Sequence, residues 1–162
     1  MKVAKRFRWE AAHRLPWHDG ACRHLHGHSY RMMVELQGEP DDRGMLIDFK
    51  HVKRLVKPLV DRMDHATLIA ADDTALKQAV AALDTKTYEL PFDSTAENLC
   101  SHVAQYLGTR GYDMLTAKGV TTLRVCVWET ETCYAEIEKP LAAFAEAAAA
   151  RGAATTVGQD VA

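Results

Sequence analysis

Two segments of this chain change character at every residue. Between Val3 and His13, one parity holds Val3, Phe7, Trp9, Ala11 and His13, while Arg6, Arg8, Glu10 and Arg14 take the other. From about His26 to Gln37 the pattern returns, with His28, Tyr30, Met32, Val34 and Leu36 set against Arg31, Glu35 and Gln37. A period of two sends successive side chains to opposite faces, so each segment reads as a half-buried β-strand. Pro16 and Gly20 make the connection between them a loop, and the Gly38–Gly44 stretch turns the chain after the second strand.

The middle of the chain changes period. Asp48 is placed to cap a helix whose apolar residues, Phe49, Val52, Val56, Leu59, Val60 and Met63, fall on one face, with Pro58 set to bend or split it. Residues 72–84 read as a short Ala-rich helix and 85–92 as an extended segment stopped by Pro91. Ser94 and Glu97 form a capping box that opens a second long helix to about Leu107. Alternation resumes from Val120 to Glu129, with Leu123, Val125, Val127 and Glu129 on one side, and a strand from Thr132 to Ile137 completes a hairpin. After Pro140, LAAFAEAAAARG reads as a solvent-tolerant helix ended by Gly152, and the last ten residues have nothing to bury. The order strand, strand, helix, helix, strand, strand predicts an α+β domain, an antiparallel sheet with helices on one face. We divide the chain into a domain over 1–139, in which 70–92 is an insertion, and an Ala-rich helix and flexible tail over 140–162.

Composition excludes several classes of partner. With 20 Lys and Arg against 22 Asp and Glu, the formal charge of −2 gives no basic surface of the kind nucleic acid requires. There is no run of about 18 apolar residues, so no membrane span is expected. Cys22, Cys100, Cys126 and Cys133 without an export signal read as reduced thiols in a cytoplasm.

Five of the eight histidines fall between His13 and His28. His26 and His28 lie two apart, so both imidazoles share a face, and His13 ends the apolar parity of the preceding segment. If the two strands are antiparallel neighbours, three imidazoles converge, which suits a catalytic Zn²⁺ with an open fourth position. The plainer reading is that inward histidines are hydrogen-bonded core residues and that His18 and His24 are solvated loop residues. Cys22 sits in a polar loop four residues before His26. A thiol beside a divalent cation and imidazoles loses its proton more easily than a free one; a fourth metal ligand and an inert loop thiol are the alternatives. Cys100, Cys126 and Cys133 read as small packing residues. Asp64–His65 is a carboxylate beside an imidazole, able to relay a proton, although helix ends often carry such pairs for solvation. Glu129 ends an apolar strand face, where an unpaired carboxylate is costly, so it calls for an Arg, backbone N–H groups or a ligand.

The segments FRWEAAHRL, CRHLHGHSY, GMLIDF, MDHATL, STAEN and VWETETCYA, in this order over most of residues 5–138, resemble the 6-pyruvoyl-tetrahydropterin synthase family. The resemblance implies the tunnelling fold, four antiparallel strands with two main helices on one face. Three subunits join edge to edge into a barrel, and two rings stack into a homohexamer. It implies His13, His26 and His28 as zinc ligands, Cys22 as general base and Asp64 with His65 as proton relay. Glu129 becomes the anchor of the pterin's amino-pyrimidinone edge, with Thr95 and Glu97 as further pterin contacts.

Three residues separate Cys22 from His26, as in bacterial 6-carboxy-tetrahydropterin synthases of the queuosine pathway. That branch converts 7,8-dihydroneopterin triphosphate to 6-carboxy-tetrahydropterin and releases triphosphate and acetaldehyde. The competing readings are the pyruvoyl-forming sister enzyme, which eliminates triphosphate only, and a non-catalytic zinc- or pterin-binding module. An unrelated zinc hydrolase lacks its H-E-x-x-H helix here.

Overall fold

The structure, a computed structural model, describes residues 1–157 of the chain, with side chains as far as Gly152. The two alternating segments are its longest strands, β1 (Lys2–His13) and β2 (His26–Gly38), paired antiparallel over their whole length, with Trp9 opposite Tyr30 and His13 opposite His26. A single 3-10 turn, Ala21–Arg23, interrupts the loop between them. Helix α1 (Phe49–Met63) follows, capped by the Asp48 carboxylate, which accepts from the Lys50 N–H at 2.8 Å. It runs through Pro58 as one unbroken element, so the expected split does not occur.

Next come β3 (Ala66–Ala70), α2 (Thr74–Ala81), β4 (Thr87–Leu90), α3 (Ala96–Ala117), β5 (Val120–Trp128) and β6 (Tyr134–Pro140). A 3-10 turn (Leu141–Phe144) leads into α4 (Ala145–Val157). The strands form one sheet in the order β4-β3-β1-β2-β5-β6. The sheet is therefore six-stranded and mixed rather than four-stranded and antiparallel, because β3 runs parallel to β1 and β4 parallel to β3. Strand β3 carries no alternation to betray it: all five of its residues are buried, since both of its faces are covered. Leu68 enters the main core, whereas its neighbour Ile69 packs with Leu76 and Val80 of α2 on the opposite face. The segment expected as an insertion thus extends the sheet by two strands and covers its second face with a helix.

The main core lies between the sheet and the helices α1 and α3. Val52, Val56, Leu59 and Met63 of α1 meet Leu99, Val103 and Leu107 of α3 over Met32, Val34, Val125 and Val127 of the strands. Helix α3 runs ten residues past the expected Leu107, as far as Ala117. The solvent-tolerant helix expected after Pro140 forms as α4, whose residues as far as Gly152 are exposed or half-buried, but the turn ahead of it is part of the core. Leu141 and Phe144 are buried, Phe144 seated where Gly108 leaves room, since a Cβ at Gly108 would come within 2.3 Å of the ring. The helix also continues past Gly152 to Val157. Burying a phenylalanine contributes about 1.5–3 kcal/mol, so this turn belongs to the domain. Of the ten residues expected to form a tail, 153–162, the helix takes up the first five, and 158–162 lie outside the described residues. At the other end of the sheet, Gly38 allows β2 to pass Gly119, whose carbonyl oxygen would lie 2.2 Å from an added Cβ. Among the described residues no helix is long and apolar enough to cross a membrane.

Candidate metal centre and the pockets beside it

The β1–β2 register decides where the imidazoles go. His13 faces His26 across the ladder, and His28 faces Ala11, so His28 is the diagonal neighbour of His13 on the same sheet face. The ring centroids lie 4.7 Å (His13–His26), 5.1 Å (His13–His28) and 4.8 Å (His26–His28) apart, and their ligand nitrogens all fall within 4.8 Å of one another. Tyr30 forms the floor, its ring edge-on to His13 and His28 and stacked on Trp9 at 5.1 Å.

Two of the rings are held by their Nδ1 atoms. His13 Nδ1 lies 2.9 Å from the Ser94 carbonyl and 3.2 Å from its hydroxyl, and His26 Nδ1 lies 2.7 Å from the His24 carbonyl. A carbonyl accepts only, so each Nδ1 carries the proton and each Nε2 keeps a free lone pair. Such outer hydrogen bonds fix metal-ligating histidines. His13 is 2 % exposed, and among the described residues its Nε2 has no hydrogen-bond partner. Burial, reinforced by His26 and His28, lowers its pKa to about 4, and burial also lowers that of His28. Both are therefore neutral, the form a metal binds, at neutral pH. Three converging imidazoles, one with an orphaned buried nitrogen, fit a divalent zinc-like cation with an open position. Among the described residues it is the one such cluster.

A pocket of about 340 Å³ opens beside the cluster, and Cys22, Thr95, Glu97 and Glu129 all line it. Cys22 sits half-buried in the 3-10 turn, and its carbonyl accepts from the Leu15 N–H at 2.8 Å, folding the loop back on itself. Glu129 follows β5 directly, on the parity of Val125 and Val127. Its Oε1 is buried without a hydrogen bond and stands 4.0 Å from His13 Nε2, too far for one. Burial raises the Glu129 pKa, and the nearby Glu97 adds to the effect. Thr95, not Ser94, caps α3: its hydroxyl accepts from the Asn98 N–H at 3.2 Å and keeps its own proton for another partner. The expected Ser94–Glu97 box is thereby replaced, because the buried Ser94 is committed to His13.

Asp64 and His65 stand elsewhere. His65 lines a different pocket, of about 440 Å³, which it shares with Glu10, Gly27, His28 and Ser29. Asp64 Oδ1 accepts from the Glu10 N–H at 3.0 Å and lies 3.0 Å from His65 Nδ1. The Glu10 N–H, ahead of His65 itself, holds the Asp64 pKa below the usual carboxylate range. His65 has φ of 57°, a left-handed conformation unusual for a residue other than glycine, locked by its N–H bond to the Glu10 carbonyl at 2.6 Å.

Sequence reasoning missed four contributors. Ser94 positions His13 from 81 residues away. Arg14, next to His13, forms a two-pronged bond with the buried Asp73, which also caps α2; β3 pairs with Ala11 and Ala12, so the added unit grips the chain on both sides of His13. Cys133, read as a packing residue, is exposed and lines the Cys22 pocket. Trp17 lines it too. A serine ahead of a capped helix and a tryptophan in a polar loop were the available signals; the Arg14–Asp73 contact left none. Cys100 and Cys126 are buried, as a packing role requires.

A model of the family described as 6-pyruvoyl tetrahydropterin synthase matches residues 2–140. The chain belongs to this family. It is 34% identical over 148 residues to the 6-carboxy-5,6,7,8-tetrahydropterin synthase of Haemophilus influenzae, covering 85% of this chain and 99% of that protein. It is 29% identical over 158 residues to the protein of that name in Aquifex aeolicus, covering 85% and 98%. Among solved structures, Plasmodium falciparum 6-pyruvoyl tetrahydropterin synthase superposes with a TM-score of 0.70 at 19% identity, covering 86% of this chain and 98% of that one. The Caenorhabditis elegans 6-pyruvoyl tetrahydropterin synthase superposes at 0.61 with 24% identity, covering 86% and 95%. These likenesses establish the fold.

Proposed function

We propose that the chain is a zinc-dependent 6-carboxy-tetrahydropterin synthase. It would convert 7,8-dihydroneopterin triphosphate to 6-carboxy-5,6,7,8-tetrahydropterin, with release of triphosphate and acetaldehyde, and supply the queuosine route. The carrying observation is one end of the sheet where an orphaned imidazole nitrogen and an orphaned carboxylate oxygen lie 4.0 Å apart beside a pocket holding a half-buried thiol. The relatives named for the carboxy reaction, and the three-residue gap between Cys22 and His26, favour that branch.

His13, His26 and His28 would hold the zinc, which when bound supplies a Lewis acid that polarises the substrate's side-chain oxygens and acidifies the adjoining C–H. Glu129 accepts the N–H donors of the amino-pyrimidinone edge; that satisfies the oxygen the fold leaves unpaired and offsets its burial. Thr95 donates its free hydroxyl proton, and Glu97 offers a second acceptor. Cys22 takes the proton from the side-chain carbon at Sγ. His65, with Nδ1 turned to Asp64, exchanges the second proton at Nε2 from the opposite flank of His28. Proton transfer drives the triphosphate out by elimination and leaves a dicarbonyl side chain; one water then adds at the ring-side carbonyl, and carbon–carbon cleavage leaves the carboxylate on the ring and frees the two-carbon aldehyde.

Both sheet edges, β4 and β6, are open in the single chain, and closing them edge to edge in a trimeric barrel, doubled to a hexamer, would remove them. Four free thiols accord with a reducing cytoplasm.

Zinc-loaded protein incubated with 7,8-dihydroneopterin triphosphate, with products identified by mass spectrometry, tests the reading. 6-Carboxy-tetrahydropterin with acetaldehyde supports it, and a pyruvoyl product without acetaldehyde moves the chain to the sister reaction. Unconsumed substrate removes the synthase assignment.

A further inference from the structure

Three tryptophans occupy three different settings. Trp9 is buried and stacked on Tyr30, and Trp128 packs its ring 5.4 Å from Tyr134. Trp17 is 62 % exposed, and its nearest aromatic neighbour is His18, with centroids 6.0 Å apart. A large indole left in water forfeits the burial that normally justifies it. This one is nevertheless fixed: its Nε1–H donates to Asp93 Oδ2 at 2.9 Å.

The anchor is itself held. The Asp93 carbonyl accepts from the Asn98 side-chain amide at 2.9 Å and from the Thr95 N–H at 2.9 Å. The next residue, Ser94, is buried and holds His13 Nδ1. Two consecutive residues therefore tie Trp17 and the deepest imidazole to one short segment. From the other side, the His18 N–H donates to the Leu15 carbonyl at 2.9 Å, and Leu15 N–H bonds the Cys22 carbonyl. These bonds tie the indole both to the loop that carries the thiol and to the segment that holds His13, on the wall of the pocket that Glu97 and Glu129 also line.

We propose that Trp17 is the stacking wall for the planar heterocycle of the substrate, and so a determinant of ring specificity; this rests on the pterin reading above. The division of labour is chemical. The carboxylates read the N–H edge of an amino-substituted ring, which any suitably placed acceptor does for a small polar donor as well. A flat π-face demands a flat partner and rejects a sugar or an aliphatic phosphate ester that offers the same donors. With Asp93 holding the indole before the ligand arrives, little rotamer entropy remains to be lost on binding.

Calorimetric titration of the zinc-loaded protein with neopterin, a probe that keeps the ring and lacks the triphosphate, tests this on wild type, Trp17→Phe, Trp17→Leu and Asp93→Ala. Zinc content and assembly mass are measured alongside. Trp17→Leu is expected to weaken neopterin roughly ten- to hundredfold, Trp17→Phe by only a few-fold because a flat ring remains, and Asp93→Ala to fall between them. Zinc content and assembly mass should not change. In turnover, Trp17→Leu should raise KM while kcat stays within about threefold. Wild-type affinity in Trp17→Leu overturns the proposal. So does a loss of affinity that appears only with a change in assembly mass, which would make Trp17 a contact between copies. If wild type itself does not bind neopterin, the pterin reading fails and the Trp17 assignment goes with it.

Discussion

The two pockets that flank the histidine cluster are opposites. On the Cys22 side, polar atoms are buried and left unpaired: Glu129 Oε1 and His13 Nε2 have no hydrogen bond although both are withdrawn from water. On the His65 side, the groups around Asp64 are paired with one another. Asp64 accepts from the Glu10 N–H, His65 donates its own N–H to the Glu10 carbonyl, and the Glu10 carboxylate accepts from the Ser29 hydroxyl at 2.7 Å. Orphaned buried polar groups cost free energy until something completes them. On the function proposed above, the first pocket is the receptor for a metal and a ligand, and the second is a finished scaffold around Asp64 that presents His65 as the proton-transfer group.

The largest test removes the receptor. His28→Ala should strip bound zinc, lowering affinity by more than about a hundredfold, while far-ultraviolet circular dichroism stays native; full metal content in that variant would break the assignment of the cluster. Next in size, Cys22→Ala should keep zinc and assembly but cut turnover about 10²–10⁴-fold, the span of one acid–base group. Unchanged turnover would remove the thiol from the chemistry.

Acidity separates the two sides in the metal-free protein. His13 has a pKa of about 4 in the fold against an ordinary 6.5, so above pH 6.5 both folded and unfolded chains carry it neutral and stability is complete. As pH falls from 6.5 toward 4 the unfolded chain binds a proton that the folded one refuses. Stability then drops by a total of about 3 kcal/mol, and no further below 4 from this group. Urea midpoints at pH 7 and pH 4.5 measure it. His13→Gln should flatten the slope, and an unchanged slope would contradict the burial argument. The smallest effect expected is Glu129→Gln, which keeps shape and loses charge. Pterin affinity should fall roughly ten- to hundredfold, whereas Asp64→Asn, on the finished side, should leave that affinity within a few-fold while slowing turnover.

This contrast was only half legible in the sequence. Parity along Val3–His13 and His26–Gln37 was enough to put His13, His26 and His28 on one face, given that the strands pair in the register that brings both apolar sets to the core. Glu129 announced itself the same way, as a charge closing an apolar parity. The unread half depends on contacts between distant segments. Ser94 reaches His13 across 81 residues and Arg14 reaches Asp73 across 59, and neither leaves a local pattern. Strand β3 escaped for a related reason: covered on both faces, its five residues alternate in nothing, and its pairing with β1 rests on Ala11 and Ala12 alone. Without β3 and β4 the sheet reads as four antiparallel strands, and His65 has no pocket to stand in.

The most direct test of the account is a crystal structure of the zinc-loaded protein with a 6-substituted dihydropterin bound. The account predicts one metal on His13, His26 and His28 and the amino-pyrimidinone edge on Glu129 in the Cys22 pocket. A ring seated between Glu10 and His65 with Glu129 still unpaired, or a metal held by other residues, would contradict it.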